Sequence, residues 1–231
     1  MQLAHLRPED TVVEIGPGAG SLTQVLAAAV ERVVAIEIDR DLIPALRANM
    51  PSNVEVIEGD ALEIDFPDAP FHLVGNLPYN VATPLFKRFI ENRDRILGVT
   101  VMIQKEVAER LAARPRTAAY GPLSVLVQYY AHVTYGFMVP RGAFKPPPKV
   151  DSAAIRLEWK PDVPVAKGFT DFVHQAFSSR RKTLVNNLLS MFGSLRREDI
   201  LHHLEEAGIK PNTRPEELSV TEFLRVYNQM R

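Results

Sequence analysis

Cysteine is absent from the 231 residues of the sequence. Its absence excludes disulfide bonds, thiolate zinc sites and a cysteine nucleophile, and it is typical of proteins of the reducing cytoplasm. Long apolar runs are absent too: none approaches the roughly 18 residues that a bilayer crossing needs, so we expect no contact with a membrane. The six histidines include one adjacent pair, His202 and His203, whose rings would point to different sides of a helix. We therefore expect no metal site.

Charge is nearly balanced over the whole chain, at a net −1, but it is not balanced along the chain. Residues 1–70 carry 4 basic and 13 acidic side chains, whereas residues 141–182 carry 9 basic and 4 acidic ones. Such asymmetry indicates either a polyanionic partner docked on one face or solvated helices with local charge surpluses. Charge alone leaves both interpretations open.

Short β-branched runs alternate with segments of helical spacing. We predict strands at 11–15, 32–38, 54–57, 72–74 and 97–103, with a late pair at 133–139 and 153–159. Helices are predicted at 21–29, with Ser21 as the N-cap, and at 41–49, 84–91, 123–131, 169–178, 181–191, 197–207 and 220–230. This alternation is typical of a parallel α/β sheet, which binds ligands beyond the carboxyl ends of its strands. A linker at 160–164 indicates a sheet domain, 1–160, and a small helical domain, 161–231.

A glycine-rich turn, G-P-G-A-G at 16–20, follows the first predicted strand and would let a ligand approach the backbone. The dinucleotide fingerprint G-x-G-x-x-G does not fit, because the third glycine comes one residue early. Glu37 ends the second strand, where a carboxylate can accept both hydrogen bonds of a ribose diol in either a NAD or an S-adenosylmethionine site. An exposed strand-end glutamate is the alternative. Asp60 is either an acceptor for an adenine amine or a turn former beside Gly59.

The segment Asn76-Leu77-Pro78-Tyr79 directly follows the fourth predicted strand. An adenine amine is a poor nucleophile because its lone pair is delocalised into the ring, so methylation requires acceptors that hold both of its N–H bonds. The amide oxygen of Asn76 and the carbonyl of Leu77 are two such acceptors, in a turn stiffened by proline. Tyr79 offers a ring on which the base can stack. The alternative is a proline turn with a core tyrosine.

The sequence resembles the ribosomal RNA adenine dimethyltransferases of the KsgA type over nearly its whole length. The glycine turn is common to methyltransferases, whereas N-L-P-Y and F-K-P-P-P-K-V-D-S are far more specific. The likeness is carried by E-I-G-P-G-A-G-S-L-T at 14–23, I-E-I-D-R-D at 36–41, G-D-A at 59–61, N-L-P-Y-N at 76–80, Q-K-E-V-A-E-R at 104–110, F-K-P-P-P-K-V-D-S at 144–152 and R-R-K-T-L at 180–184.

The resemblance implies a Rossmann-like S-adenosylmethionine-dependent methyltransferase sheet with a small C-terminal helical domain. It implies dimethylation of two adjacent adenosines near the 3′ end of small-subunit ribosomal RNA, by a monomer acting on a pre-30S particle. Three sets of residues are implied: Gly16, Gly18, Glu37, Ile38, Asp60, Ala61 and Asn76 for the cofactor; Asn76, Leu77, Pro78, Tyr79 and Phe144 for the target base; and Lys145, Lys149, Arg180, Arg181 and Lys182 for RNA.

Members of that family usually begin with a segment containing G-Q-x-F-L, which covers the methionine end of the cofactor. Here the first predicted strand already begins at Thr11, so we expect weak or absent methyl transfer. Three alternatives stay open at this point. The chain could be an RNA-binding ribosome-assembly module of the same fold, a methyltransferase for large-subunit RNA or DNA adenine, or a dehydrogenase, which N-L-P-Y disfavours.

Overall fold

The computed structural model describes residues 2–78, 81–145, 147–164, 167–191 and 195–230. Within these residues the strands are β1 (Thr11–Ile15), β2 (Arg32–Glu37), β3 (Val54–Glu58), β4 (Phe71–Asn76), β5 (Ile96–Gln104), β6 (Ala131–Val139) and β7 (Ser152–Trp159). The helices are α1 (Ser21–Ala27), α2 (Ile43–Asn49), α3 (Ala82–Glu91), α4 (Lys105–Leu111), α5 (Pro122–Tyr130), α6 (Phe169–Ala176), α7 (Leu184–Leu188), α8 (Arg197–Glu206) and α9 (Val220–Gln229). Short 3-10 turns lie at Gln2–Ala4, Arg141–Ala143 and Pro215–Glu217.

The strands form one sheet in the order β3-β2-β1-β4-β5-β7-β6. Strands β1 to β5 run parallel, and β7 runs antiparallel to both of its neighbours. The predicted α/β sheet with a late strand pair is confirmed. The chain order reverses between β1 and β4, where Ile15 lies opposite Gly75. Such a switch point opens a crevice beyond the carboxyl ends of the strands.

The central strands are apolar because both faces of the sheet are covered, as is usual for parallel strands. Val12 and Val13 are adjacent in β1 and both are fully buried. On one face, Val12 and Val33 pack in a cluster with Leu26 of α1. Burying each such side chain contributes about 1.5–3 kcal/mol. The apolar runs thus hold the sheet, and the polar residues that follow them come to lie at its carboxyl edge.

The chain forms two compact units, 1–108 with 131–160, and 109–130 with 161–231. Segment 109–130, expected in the sheet domain, therefore groups with the C-terminal helices. The reason is aromatic packing: the ring of Tyr129 in α5 lies 5.0 Å from that of Phe169 in α6. Its hydroxyl also donates a 3.0 Å hydrogen bond to the carbonyl of Pro164. We call these parts the sheet unit and the helical unit.

Some helix ends differ from those predicted. Ser21 is the first residue of α1, and Gly20 takes the N-cap position with φ +85°. A Cβ on Gly20 would lie 2.5 Å from Cε at the flexible end of the Met50 side chain, so the positive φ is the main reason for glycine at this position. Helix α7 covers only Leu184–Leu188 of the predicted 181–191, and the unpredicted α4 follows β5 directly. No helix in the described segments combines the length and the apolar character needed to cross a bilayer.

Candidate active site

A cavity of about 230 Å³ opens at the carboxyl edge of the sheet. The loops after β1, β2 and β3 and the segment after β4 all contribute to its walls, as a switch-point site requires. Five of the residues predicted to hold the cofactor line it, namely Gly16, Glu37, Ile38, Asp60 and Ala61. Pro78 of the predicted base motif lines it too, together with Val81 and Leu85, which the sequence did not single out.

The glycine turn brings the loop after β1 against the end of β4. Gly16 has φ +68°, and a Cβ there would lie 3.4 Å from the carbonyl oxygen of Asn76. The N–H of Gly16 donates a 3.0 Å hydrogen bond to the carbonyl of Ile36 in β2. The predicted cofactor turn and the predicted base motif are therefore in direct proximity.

Glu37 is 5% exposed, so its interpretation as an exposed strand-end glutamate is wrong. Its Oε2 accepts a 3.0 Å hydrogen bond from the N–H of Gly18. Its Oε1 accepts from the N–H groups of Ile38 and Asp39 at 3.0 and 2.9 Å. A carboxylate offers about four acceptor sites, so these three bonds fix the group and leave one site on Oε2 for a ribose hydroxyl.

Asp60 contributes a polar side chain to the cavity wall, and Ile38 contributes an apolar one. Asp60 Oδ1 accepts a 2.8 Å hydrogen bond from the N–H of Leu62, which confirms the turn-forming interpretation. Its Oδ2 remains as an acceptor, so the turn does not exclude contact with an amine. Ile38 lines the cavity and is 63% exposed. A flat apolar ring would cover it, so these residues fit the nucleoside part of a cofactor.

Asn76 ends β4 opposite Met102 of β5, and its side chain is exposed at the sheet edge. The N–H of Leu77 donates a 2.9 Å hydrogen bond to the carbonyl of Met102, and the Leu77 side chain is buried. Beyond it, the carbonyl of Pro78 accepts a 3.2 Å hydrogen bond from the N–H of Val81. The turn is therefore anchored to β5 on one side and to α3 on the other. Tyr79 lies outside the described residues.

The segment 140–151 joins β6 to β7 and lies at the same edge of the sheet. Its position follows from the register, because Ser152 pairs with both Val139 and Gln104, the last residue of β5. Phe144 is half-buried in this segment, and Lys145 and Lys149 are exposed. The sheet topology thus places all three beyond the carboxyl end of β5.

Arg180, Arg181 and Lys182 lie in the helical unit, just before α7, and all three are exposed. The guanidinium of Arg180 donates to the carbonyls of Ala118 and Tyr120, at 3.3 and 3.4 Å. Arg180 therefore also has a structural contact. The contact of these residues with RNA stays a prediction.

Glu14, in the middle of β1, is a buried carboxyl that the sequence analysis did not single out. It is 1% exposed, and its Oε2 has no hydrogen-bond partner in the described part of the chain. Burial raises the pKa of Glu14 to about 7, with a contribution from Glu37, while the Thr23 hydroxyl opposes the shift. The sequence signal for this buried carboxyl was a glutamate within the otherwise apolar run V-V-E-I. Among the described residues, no group of three or more His, Asp or Glu side chains could hold a metal ion.

Taken together, the switch-point cavity, the glycine turn and the carboxylates at the end of β2 and after β3 fit an S-adenosylmethionine-dependent methyltransferase. The whole chain, residues 1–231, matches the family model described as ribosomal RNA adenine dimethylase. The chain belongs to this family, and the dehydrogenase alternative is therefore wrong.

Individual relatives agree with this assignment. The chain is 40% identical over 235 residues to ribosomal RNA small subunit methyltransferase A of Acinetobacter baylyi, covering 97% of this chain and 83% of the relative. It is similar to the crystal structure of a dimethyladenosine transferase from Plasmodium falciparum, with TM-score 0.86, 28% identity and coverage of 97% and 91%. It is also similar to the 23S rRNA methyltransferase ErmE, with TM-score 0.76, 29% identity and coverage of 99% and 93%.

Proposed function

We propose that this chain dimethylates the N6 amino groups of two adjacent adenosines near the 3′ end of small-subunit ribosomal RNA. The observation that supports the proposal is the approach of Asn76 to Gly16, because it brings the N-L-P-Y motif, which we assign to the target base, close to the turn that we assign to the cofactor. The names of the relatives agree with this substrate: one is a small-subunit ribosomal RNA methyltransferase and another a dimethyladenosine transferase. We further propose that the chain acts as a monomer on a pre-30S particle in the cytoplasm.

S-adenosylmethionine supplies an electrophilic methyl group on a sulfonium. The residues of the cavity orient the reactants, and alignment provides most of the rate acceleration in such a displacement. We assign Glu37 to the ribose, Asp60 Oδ2 to the adenine amine of the cofactor, and the apolar surface of Ile38 and Ala61 to its ring. Gly16 and Gly18 hold the turn that admits the cofactor close to the backbone.

The target base occupies the side of the cavity next to β4. The Asn76 amide oxygen and the Leu77 carbonyl accept the two N–H bonds of its amine, which leaves the nitrogen lone pair directed at the methyl group. The amine proton passes to water once the nitrogen is cationic, so no general base is needed. Tyr79 and Phe144 stack on the base, and each stack offsets about 1–3 kcal/mol of the cost of unstacking it from RNA.

Basic residues supply the sequence-independent part of RNA binding. We assign Lys145 and Lys149, exposed beside Phe144, to phosphates near the target base, and Arg180 to Lys182 to phosphates on the helical unit. Each phosphate contact releases counterions, so affinity for the RNA falls as salt rises.

A second candidate substrate is a large-subunit adenosine. It is favoured by the similarity to a 23S rRNA methyltransferase at TM-score 0.76. Incubation with tritiated S-adenosylmethionine, separately with undermethylated small and large subunits, distinguishes the two. We expect label only in the small subunit, on two adjacent adenosines. Label confined to the large subunit would move the function to the second candidate, and RNA binding without label would favour the assembly-module alternative.

Replacing Asn76 tests the mechanism itself. We expect Asn76→Ala to lower methyl transfer at least about 100-fold, the usual effect of removing one oriented polar group from a reacting centre. Asn49→Ala is a matched control, because Asn49 is an exposed amide at the end of α2 that bonds its own helix at the Ala45 carbonyl. If Asn76→Ala retains more than a tenth of the activity, the amide does not hold the base.

A further inference from the structure

The Arg88 side chain, on the last turn of α3, contacts the loop that follows β3 at three points. Its two terminal nitrogens donate to the carbonyls of Leu62 and Ile64. Its guanidinium carbon also lies 4.7 Å from the centre of the Phe66 ring. The planar guanidinium presents several donors in a fixed fork, so one side chain can hold two carbonyls of one loop in a set relation.

Both of these carbonyls belong to residues that contact the cavity segment 59–61. The N–H of Leu62 donates a 2.8 Å hydrogen bond to Asp60 Oδ1, and the carbonyl of the same residue accepts from Arg88. Leu62 therefore links Arg88 to Asp60. The Ile64 side chain lies against Gly59, where a Cβ would come within 2.5 Å of its Cδ1. Fixing Leu62 and Ile64 therefore fixes the direction of the Asp60 carboxylate.

The other wall of the cavity comes from the helix that carries Arg88. Leu85 lines the cavity, and Arg88 follows it by three residues, which places both on neighbouring positions of one helix face. Helix α3 begins at Ala82, four positions after Pro78, with Val81 as its N-cap. Arg88 thus joins the wall that begins at the base motif to the wall that bears Asp60.

We propose that Arg88 is a positioning residue of the cofactor site, which orients Asp60 and so sets both the affinity for the cofactor and the preference for an adenine ring. This inference rests on the cofactor site proposed above. It assigns Arg88 no contact with the cofactor itself.

Arg95, in the short segment between α3 and β5, provides a matched control because it contacts the same loop. Its guanidinium donates to the carbonyls of Phe66 and Pro67 and pairs with Asp68 at 3.1 Å. Neither these partners nor Leu62 and Ile64 line the cavity, but Leu62 and Ile64 contact Asp60 and Gly59, which do. Both arginines contact Phe66, and Arg88 adds the two bonds that lead to the cofactor wall.

The test is calorimetric titration with S-adenosylhomocysteine, which needs neither RNA nor turnover. We expect Arg88→Met to raise the dissociation constant about 10-fold, because a small misplacement of a binding group has a large effect. Arg88→Lys should show an intermediate effect, and Arg95→Met less than a twofold change. Repeating the titration with S-inosylhomocysteine, which lacks the adenine amine, should show that Arg88→Met reduces the preference for adenine over hypoxanthine.

A merely structural role for Arg88 would leave that base preference unchanged. The proposal is overturned if Arg88→Met binds S-adenosylhomocysteine within twofold of the unaltered chain, or if Arg95→Met weakens binding equally. Should Arg88→Met fail to fold, an Arg88→Lys variant with normal affinity and normal base preference would overturn it. Failure of the unaltered chain to bind S-adenosylhomocysteine would instead count against the proposed cofactor site.

Discussion

The two units of the molecule hold their critical groups by different means. In the sheet unit, side chains bind loop backbone: Glu37 accepts from three N–H groups and Arg88 donates to two carbonyls. In the helical unit, rings pack on rings, with Phe169 and Phe172 5.4 and 5.5 Å from Tyr227. Directional bonds set where a ligand-binding atom points, whereas ring packing sets stability. Substitutions in the first unit should therefore change binding, and those in the second should change stability.

Phe172→Ala should produce the largest change in stability. Phe172 is fully buried, and its removal should lower the free energy of unfolding by about 3–5 kcal/mol. Urea denaturation measures this loss, and Phe137→Ala is the control because the Phe137 ring is 58% exposed. The affinity of the folded protein for S-adenosylhomocysteine should not change, since the described cavity is lined by the sheet unit alone. A weaker affinity would show that a substitution in the helical unit also changes binding, and it would contradict the contrast between the units.

The same contrast explains what could be predicted from sequence. Glu37 and Asp60 could be assigned because they follow apolar strands, and parallel strands end at one edge of a sheet. Arg88 could not, because its partners are carbonyls 26 and 24 residues away, and a carbonyl leaves no mark in the sequence. The N-cap of α1 was misplaced because Ser21 is a good cap by type, whereas the N-cap position falls one residue earlier, at φ +85°, a conformation that favours glycine.

Segment 109–130 shows what could not be predicted from sequence in the helical unit. Its position in sequence between two strands suggested the sheet domain, but the segment belongs to the helical unit, where the Tyr129 ring packs on the rings of Tyr130 and Phe169. Ring-on-ring packing joins residues about 40 positions apart, and the hydrophobic pattern of one helix does not specify which partner covers it. The strands and the polar residues at their carboxyl ends were predictable, whereas the partners of the helices were not.

Glu14 contrasts with Glu37 within the sheet unit, because its Oε2 is buried without a hydrogen-bond partner in the described segments. Its burial predicts an effect of pH on stability. Burial raises the pKa of Glu14 from 4.5 to about 7, so between these values the folded state retains a proton that the unfolded state releases. Stability from this group therefore falls as pH rises through this range and is lowest above pH 7. Glu14→Gln should remove the fall and be more stable at pH 8 by up to about 3 kcal/mol.

Urea denaturation of both proteins at pH 4.5 and pH 8 checks this prediction. The two should differ little at pH 4.5, where the carboxyl is protonated in the folded state and about half protonated in the unfolded state. Glu31→Gln, which alters an exposed glutamate, should match the unaltered chain at both values. An equal effect of Glu14→Gln at the two pH values would show that packing rather than charge is responsible.

The smallest expected change in stability comes from two tyrosines of the helical unit, Tyr120 and Tyr129. The Tyr120 hydroxyl is buried without a hydrogen-bond partner in the described part of the chain, and burial raises its pKa, as does the nearby Glu222. Because an unpaired buried hydroxyl is unfavourable, Tyr120→Phe should stabilise the protein by about 1–2 kcal/mol. Tyr129→Phe loses the bond to Pro164 and should destabilise it by about 1 kcal/mol. Thermal unfolding midpoints measure both changes, and a shift in the same direction for the two variants would contradict the prediction that the Tyr120 hydroxyl lowers stability.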